Sequence, residues 1–277
     1  MNFPHANKMK VLNSSISLDK FFQKLKSGLS LLLLDYDGTL APFHIDPKQA
    51  RPYSGVIERL NSLMTSDNTT LIIISGREIS SLGPLLDLNP LPELWGLHGG
   101  QRRKNDGMVE ELKLSEKQQE GLVQARQIAE KYSTYARREE KRLSLAIHWR
   151  GIDPSLRDRF EHIMIRELGE IAEGHDLALL SFKEGIEILS NNLNKGHAIE
   201  VILKEYGDSL NGRVAYLGDD ITDEEAFSAL DGAGLRVLVS SDTQSTQADI
   251  QIDPPEELLG FLDRWIEAIS RHAHGTE

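Results

Sequence analysis

The sequence predicts an α/β protein in which a doubly wound parallel sheet is interrupted by a second, α+β domain. Short and almost wholly apolar runs, typical of strands buried on both faces of a parallel sheet, occupy residues 29–34, 69–74, 214–217 and 235–239. Helical stretches alternate with these runs, which implies right-handed crossovers between parallel neighbours. From about Gln101 to Glu187 the order of elements changes, which indicates an inserted domain.

The helices of the parallel part are predicted from apolar residues at helical spacing. Residues 1–16 are expected to be a weakly structured lead-in, after which a helix begins at Ser17 and stops before Gly28. The other helices are expected at 56–63, about 195–206, about 223–230 and after Pro255.

The insert is predicted to contain its own sheet. Its helices are expected at about 115–131 and 154–173, and its strands at 108–112, 135–139, 143–149, 177–182 and 185–189. In the third strand apolar residues up to Trp149 alternate with polar ones up to Arg150, which indicates a sheet with one open face. We therefore expect a core of residues 1–104 and 188–277, and an insert of residues 105–187.

The composition excludes several classes of function. The 277 residues carry 31 Lys and Arg against 43 Asp and Glu, and the net charge of −12 argues against a nucleic-acid binder. The absence of Cys removes disulfides, Cys-ligated zinc, iron–sulfur clusters and thiol nucleophiles. No apolar run approaches the ~20 residues that span a bilayer, and the polar N-terminus lacks the core of a signal peptide. We expect a soluble, cytoplasmic protein that does not bind membranes.

Polar residues follow the ends of the apolar runs, where open α/β sheets place their ligand sites. Asp35 and Asp37 follow the first run, and Gly38 lets main-chain N–H groups approach an anion closely. Ser75 offers a hydroxyl at the end of the second run. Each feature alone also has a structural explanation, such as a strand exit or a helix cap.

A cation and a second acidic group complete this set. Lys195 opens a predicted helix, where its charge and the free N–H groups both favour an anion. Asp219, Asp220 and Asp223 follow the third apolar run, and such acidic density suits a hard, oxygen-preferring cation. Taken together, the groups can supply a nucleophile, phosphate ligands and metal ligands.

Three segments carry a resemblance to a known family. DYDGTLAPF (35–43), GLHGGQRR (96–103) and EKRLSLAIHWR (140–150) are similar to segments of trehalose-6-phosphate phosphatases. The stretches 29–40, 69–77 and 195–227 resemble the motifs of the wider haloacid dehalogenase superfamily. The resemblance implies a Rossmann-like catalytic core with an inserted α+β cap domain that determines substrate specificity.

The resemblance also implies the chemistry, which is Mg²⁺-dependent hydrolysis of trehalose 6-phosphate through an aspartyl-phosphate, the final step of trehalose biosynthesis. Asp35 is then the nucleophile, and Asp37 is the general acid and base. The phosphate ligands are the Gly38 N–H, Ser75 and Lys195. The Mg²⁺ ligands are Asp35, the main-chain oxygen of Asp37 and Asp219, and the residues that orient them are Asp220 and Asp223.

The resemblance further implies that the insert reads the leaving sugar. The candidate residues are Arg103 at the junction with the core, and Lys141, His148, Arg150 and Glu187 in the insert. Charged groups that converge on hydroxyls are what polyol recognition requires. The expected partner is a small sugar phosphate, with functional coupling to a trehalose-6-phosphate synthase.

One departure from the family pattern keeps alternatives open. Where the family usually reads Glu-x-(Lys/Arg)-Pro, this chain reads Glu187-Ile188-Leu189-Ser190. The nearest alternative is a phosphatase for another glycosyl phosphate, such as sucrose 6-phosphate or mannosyl-3-phosphoglycerate, followed by a phosphomutase of the same superfamily. A non-catalytic sugar-phosphate sensor is the alternative from a different class, and the intact Asp35 argues against it.

Overall fold

The chain folds into two compact units. The structure, a computed structural model, describes residues 9–44, 46–149, 151–182 and 185–270. The core unit consists of Met1–Glu110 and Asn194–Glu277, and the inserted unit of Glu111–Leu193. None of the helices in the described ranges combines the length and the apolar character needed to cross a bilayer.

The regular elements are numbered along the chain. The strands are β1 (Lys10–Val11), β2 (Ser30–Leu34), β3 (Thr69–Ile74), β4 (Glu93–Gly96), β5 (Gln101–Arg103), β6 (Val109–Glu111), β7 (Arg137–Glu140), β8 (Ser144–His148), β9 (Leu177–Phe182), β10 (Gly185–Ser190), β11 (Val214–Gly218), β12 (Leu235–Val239) and β13 (Ile250–Ile252). The helices are α1 (Leu18–Leu25), α2 (Val56–Met64), α3 (Ile79–Leu86), α4 (Glu116–Lys131), α5 (Pro154–Gly174), α6 (Lys195–Tyr206), α7 (Glu224–Ala229) and α8 (Glu256–Ser270).

A mainly parallel sheet of nine strands forms the centre of the core unit, in the order β1-β13-β12-β11-β2-β3-β4-β5-β6. The strands from β13 to β4 in this order are parallel, whereas β1 is antiparallel to β13 and β5 is antiparallel to β4. Along β2, Leu32 and Leu34 pack with α1, α2, α3 and α8, while Leu31 and Leu33 pack with α6 and α7 on the other face. The predicted doubly wound sheet is confirmed.

Most elements of the core unit lie where the apolar pattern placed them, and β3, β12 and α6 have the predicted bounds. Ser17 caps α1, since its side chain accepts a hydrogen bond from Lys20 N. Within the weakly structured lead-in that the sequence predicts, the structure has one two-residue strand, β1, which pairs with β13. The strands β1, β4, β5 and β13 were not predicted, because strands of two to four residues are too short to form a recognisable apolar run.

The inserted unit contains a four-stranded antiparallel sheet in the order β7-β8-β10-β9. Helices α4 and α5 cover one face, where Leu145 of β8 and the neighbouring Trp149 join their core, as the alternation predicts. The expectation of an open opposite face is wrong at its centre, because Ser144 and Ala146 are only 2% and 1% exposed. Larger side chains on the adjacent strands, including Glu187 of β10, flank these small residues.

The unit boundaries differ by about six residues from the predicted ones. The predicted start of the insert at 105 falls between β5 and β6, which both belong to the core sheet. The predicted end at 187 falls inside β10, which is paired from Gly185 to Ser190 within the inserted sheet. Ser190 is also tied to α4, because Gln118 Nε2 donates to its Oγ at 2.8 Å.

Candidate active site

The polar residues at the strand ends meet at one edge of the core sheet. Asp35 and Asp37 follow β2, whose neighbours in the sheet are β3 and β11. Ser75 follows β3 and Asp219 follows β11, so the four residues leave three adjacent parallel strands. A main-chain hydrogen bond joins the ends of β2 and β11, since Asp35 N donates to Leu217 O at 2.9 Å. The structure therefore places these four predicted residues at one edge of the sheet.

Lys195 joins this group from the start of α6. Asn194 caps the helix through its side chain, which accepts from His197 N at 2.6 Å. The Lys195 ammonium group is 3% exposed and lies 2.7 Å from Asp35 Oδ1 and 2.6 Å from Asp223 Oδ1. Such a buried cation between two carboxylates is also placed to bind an anion at the strand ends.

The Asp223 carboxylate accepts four hydrogen bonds from groups around it. Its Oδ1 accepts from Lys195 and from the hydroxyl of Tyr216, and its Oδ2 accepts from the main-chain N–H groups of Asp219 at 2.9 Å and Asp220 at 3.0 Å. A carboxylate has about four acceptor positions, so these donors use all of them. Asp223 therefore orients its neighbours, and has no acceptor position left for a metal ion.

Tyr216 was not singled out by the sequence, although a signal exists. It lies within the apolar run of β11 and is fully buried. A buried tyrosine hydroxyl normally has a hydrogen-bond partner, and the acidic segment that begins three residues further on supplies it in Asp223. Burial and the charges of Asp223 and Asp35 raise the pKa of Tyr216 far above its usual value, so it remains a donor.

The carboxylates of Asp35, Asp219 and Asp223 form the acidic cluster, in which one oxygen of each residue lies within 4.8 Å of the others. Asp219 Oδ1 is buried and has no hydrogen-bond partner. A buried acceptor without a donor is costly unless another group satisfies it. The cluster thus fits a cation held by Asp35 and Asp219, while the hydrogen bonds of Asp223 keep that residue out of the ligand set.

Gly38 allows this cluster to form because it leaves room for Asp219. Its N–H donates to Ala41 O at 2.7 Å, and the contact between this N–H and phosphate stays a prediction. Gly38 has φ +82°, and a Cβ atom there would lie 2.0 Å from Asp219 Oδ2. Only glycine allows the turn and the close approach of Asp219 at the same time.

Burial dominates the electrostatics of the acidic cluster. It raises the pKa of Asp35 to about 7, with Lys195 opposing the rise and Asp223 adding to it. Burial also raises the pKa of Asp219 well above its usual range, and the charge of Asp35 adds to this rise. Burial alone would lower the pKa of Lys195, but the charges of Asp223 and Asp35 outweigh it and raise the value. The three carboxylates share this one ammonium group, and a divalent cation would balance their remaining charge.

Arg77, which the sequence did not single out, contacts both Asp37 and Ser75. Arg77 places its guanidinium group against the Asp37 carboxylate, with Nε 2.6 Å from Oδ2 and Nη2 2.6 Å from Oδ1. The main-chain N–H of the same residue donates to Ser75 Oγ at 3.2 Å, and His98 N donates to Ser75 O at 3.0 Å. Ser75 is nearly fully buried, and its hydroxyl lies at the end of β3.

A polar cluster lies on the face of the inserted sheet opposite to its helices. Lys141 Nζ is 3.0 and 3.1 Å from the two carboxylate oxygens of Glu187, and Ser144 Oγ donates to the same carboxylate. His148 Nε2 lies 3.0 Å from Glu139 Oε2, and this hydrogen bond lowers the pKa of Glu139. The structure thus brings together Lys141, His148 and Glu187 of the predicted sugar-binding set on a single face of the insert.

The two other residues predicted to bind the sugar are Arg103 and Arg150. Arg103 lies on β5 of the core unit, and its Nη1 approaches main-chain carbonyl oxygens, of which Leu91 O is nearest at 3.3 Å. Arg150 lies outside the described residues, so its part in the site stays a prediction. Asp220 uses its side chain to accept from Ile221 N at 2.7 Å, and its orienting role stays a prediction.

The structure resembles solved phosphatase structures over most of its length. The C-terminal domain of Candida albicans trehalose-6-phosphate phosphatase matches with a TM-score of 0.81 at 23% identity, covering 94% of this chain and 99% of that one. A phosphatase of the haloalkanoate (HAD) superfamily from Bacteroides thetaiotaomicron matches with a TM-score of 0.60 at 15% identity, covering 87% and 96%. The fold is therefore the one that these solved phosphatase structures share, which confirms the predicted α/β core with an inserted α+β domain.

The amino-acid sequence narrows this class to one family. A family model described as trehalose-phosphatase matches residues 33–255, and the chain belongs to the trehalose-phosphatase family. It is 29% identical to a trehalose-phosphatase of Schizosaccharomyces pombe over 255 residues, and 28% identical to alpha,alpha-trehalose-phosphate synthase (UDP-forming) B of Dictyostelium discoideum over 243 residues. Both alignments cover 86% of this chain, which spans about 30% of the length of either relative. Probable trehalose-phosphate phosphatase 4 of Oryza sativa is 30% identical over 268 residues, which cover 91% of this chain and 70% of that protein.

Proposed function

We propose that the protein is a Mg²⁺-dependent phosphatase that hydrolyses trehalose 6-phosphate to trehalose and phosphate. The observation that carries this proposal is Asp35, held by Lys195 at 2.7 Å at the carboxyl end of the central strand and beside the unpartnered oxygen of Asp219. Membership of the trehalose-phosphatase family and the names of the relatives support the choice of substrate.

The metal site fits a hard divalent cation. Asp35, Asp219 and the main-chain oxygen of Asp37 would hold Mg²⁺, which binds through few carboxylates and keeps several waters. When bound, the ion supplies positive charge that offsets the repulsion between the nucleophile and the phosphate group. Asp223 and Gly38 keep this set in place, the first through its hydrogen bonds to the 219–220 main chain and the second by leaving room for Asp219.

The reaction consists of two in-line displacements. A carboxylate oxygen of Asp35 attacks phosphorus, the bond from phosphorus to the sugar oxygen breaks, and Asp37 gives its proton to that oxygen. Asp37 then removes a proton from water, the water oxygen attacks phosphorus, and the bond to Asp35 breaks to release phosphate. Lys195 and the Ser75 hydroxyl bind the phosphate oxygens on which charge builds up.

The polar cluster of the inserted unit is proposed to bind the hydroxyl groups of the leaving sugar. Lys141, Ser144 and Glu187 offer donors and acceptors in a fixed arrangement, and His148 offers a further ring nitrogen. Charged and neutral donors and acceptors on one face suit the hydroxyl groups of a polyol. In this proposal the inserted unit is the cap that excludes water during the reaction.

A phosphatase for a different glycosyl phosphate is the second candidate, and Leu189 favours it. This residue is nearly fully buried on β10 and cannot supply the charge of the basic residue that the family usually carries there. Ser190 is fully buried and accepts a hydrogen bond from Gln118, so it serves the fold of the insert. Sucrose 6-phosphate and mannosyl-3-phosphoglycerate are the substrates to compare.

Functional coupling to a trehalose-6-phosphate synthase is part of the proposal. The Dictyostelium relative is named as a synthase, and this chain corresponds to about 30% of its length. A synthase would supply the substrate of the proposed phosphatase.

The test is phosphate release with Mg²⁺ from trehalose 6-phosphate, sucrose 6-phosphate, glucose 6-phosphate and mannosyl-3-phosphoglycerate. We expect kcat/KM for trehalose 6-phosphate to exceed the others by at least about 100-fold, which corresponds to about 2.7 kcal/mol. Asp35→Asn should abolish release without lowering Tm by more than a few degrees, whereas Asp263→Asn, which breaks a remote ion pair with Arg59, should leave release unchanged. Substantial turnover by Asp35→Asn would contradict the nucleophile, and comparable activity on all four substrates would contradict the specificity.

A further inference from the structure

The contact between Arg77 and Asp37 fixes the whole plane of the Asp37 carboxylate. Two parallel hydrogen bonds of 2.6 Å join the guanidinium group to both carboxylate oxygens. Such a two-point contact sets the position and the rotation of the carboxylate, whereas the single charged group of a lysine would set only a distance. The Arg77 side chain is 14% exposed, so little solvent competes for its donors.

Arg77 is itself anchored to groups that cannot easily move. Its Nη1 donates to the main-chain oxygen of Pro47 at 2.7 Å, and its Cζ lies 5.5 Å from the centre of the Tyr36 ring. The hydroxyl of Tyr36 in turn donates to Ala50 O at 2.7 Å, which ties the same loop to the end of β2. The guanidinium group is therefore held by main chain and by an aromatic ring, independently of Asp37.

The main chain of Asp37 is also fixed, so only its side-chain torsions remain to set the position of the carboxylate. Asp37 forms an isolated bridge with Ala41, and the next residue, Gly38, donates to Ala41 O at 2.7 Å. With the backbone of this turn fixed, the direction of the carboxylate depends on its side-chain torsions. Arg77 is the group that sets those torsions in the structure.

We propose that Arg77 is a positioning residue that aims the Asp37 carboxylate for both proton transfers of the reaction. The inference rests on the proposed function, because it takes Asp37 to be the group that donates to the sugar oxygen and accepts from water. Arg77 itself touches neither substrate nor phosphorus in this proposal. Misplacement of a reacting group by about 1 Å can cost about 100-fold in rate, so loss of the two-point contact should reduce kcat.

The first measurement is the steady-state kinetics of Arg77→Lys with trehalose 6-phosphate. We expect kcat to fall by about 100-fold, with KM and the Mg²⁺ concentration for half-activation within about threefold of the wild type. The matched control is Arg236→Lys, because Arg236 is 12% exposed and holds Asp249 in the same way, through Nε at 3.1 Å and Nη2 at 2.8 Å. We expect this control to lose some stability and to keep kcat within about twofold.

The second measurement separates positioning from a structural role. In an Asp37→Asn background, Arg77→Lys should cost less than about threefold in kcat, because the group that it aims is already lost. A residue that only stabilised the fold would cost the same factor in both backgrounds, and that result would overturn the proposal. If Arg77→Lys fails to fold, which its Tm would show, Arg77→Gln enters the same cycle.

The two proposals can fail separately. If the wild-type protein releases no phosphate from any substrate of the panel, the proposed function fails, and the role of Arg77 fails with it. If the wild type is active and the two substitutions are additive, or if Arg77→Lys raises KM with an unchanged kcat, only the role of Arg77 is overturned.

Discussion

Gly38→Ala tests the geometry of the acidic cluster most directly. The added Cβ would lie 2.0 Å from Asp219 Oδ2, whereas an ordinary van der Waals contact is at least 3.4 Å. The Asp219 carboxylate would therefore have to move by about 1.4 Å. A Mg²⁺ ligand must stay within about 0.2 Å of its ideal distance, so this displacement removes Asp219 from the site.

Gly38→Ala should lower stability through backbone strain and weaken Mg²⁺ binding through the clash with Asp219. A matched control separates these two effects. A non-glycine residue at positive φ lowers the free energy of unfolding by about 1–2 kcal/mol. Gly38 has φ +82°, so any residue that replaces it is expected to have this effect. Gly232 has φ +70° and no atom within 4 Å of a Cβ, so Gly232→Ala carries the backbone strain without the clash. Both variants should lower Tm by about 2–8 °C, since about 1 kcal/mol shifts the Tm of a chain of this size by about 2–4 °C.

The assay is calorimetric titration of each protein with MgCl₂, beside phosphate release at saturating substrate. We expect Gly38→Ala to bind Mg²⁺ at least about 100-fold more weakly than the wild type, and Gly232→Ala to bind it equally well. Binding by Gly38→Ala within about threefold of the wild type would refute the reasoning, because Asp219 would then not be a ligand or would have another way to reach the ion.

Three further predictions concern the charges around the site. Burial raises the pKa of Asp35 to about 7, whereas this carboxyl group loses its proton near pH 4 in the unfolded chain. The metal-free folded protein therefore binds one proton more between these pH values, and its stability should fall as the pH rises from about 4 to about 7. Mg²⁺ should therefore raise Tm more at pH 8 than at pH 6, and an equal rise would contradict the shift. Glu187→Gln should increase KM for trehalose 6-phosphate at least tenfold more than for p-nitrophenyl phosphate, and equal changes would remove Glu187 from sugar binding. Tyr216→Phe takes one of the four donors from Asp223 and should lower the free energy of unfolding by about 2 kcal/mol in urea titrations, with no change expected if that hydrogen bond is absent.

The apolar runs were sufficient to predict the sheet and the edge where the site lies. A strand covered by helices on both faces is mostly apolar, and β2, β3, β11 and β12 show this in the sequence, with Arg236 of β12 as the one charged residue among them. Parallel neighbours end at the same edge, so Asp35, Ser75 and Asp219 could be grouped from their positions after the runs. Short strands such as β13 lacked this signal and were seen only in the structure.

The partners within the site could not be predicted in the same way. Arg77 follows Ser75 by two residues and resembles any charged residue at a helix start, yet it meets Asp37 from 40 positions away. Gly38 was selected for the reach of its N–H, whereas the hydrogen bond of this N–H to Ala41 O and the close approach of Asp219 are seen only in the structure. Asp223 was expected to orient its neighbours, while the four donors that occupy it, Tyr216 among them, come from the fold.

The sequence alone determined most of the longer elements and their order, because burial on one or two faces leaves a periodic pattern in neighbouring residues. It also determined which chemical groups stand at the strand ends. Only the tertiary structure decided which donor meets which acceptor, as between Lys195 and Asp35, which are 160 positions apart. Hydrogen bonds depend on distances of a few tenths of an ångström and on side-chain torsions, and these are set by packing between elements that are distant in the chain.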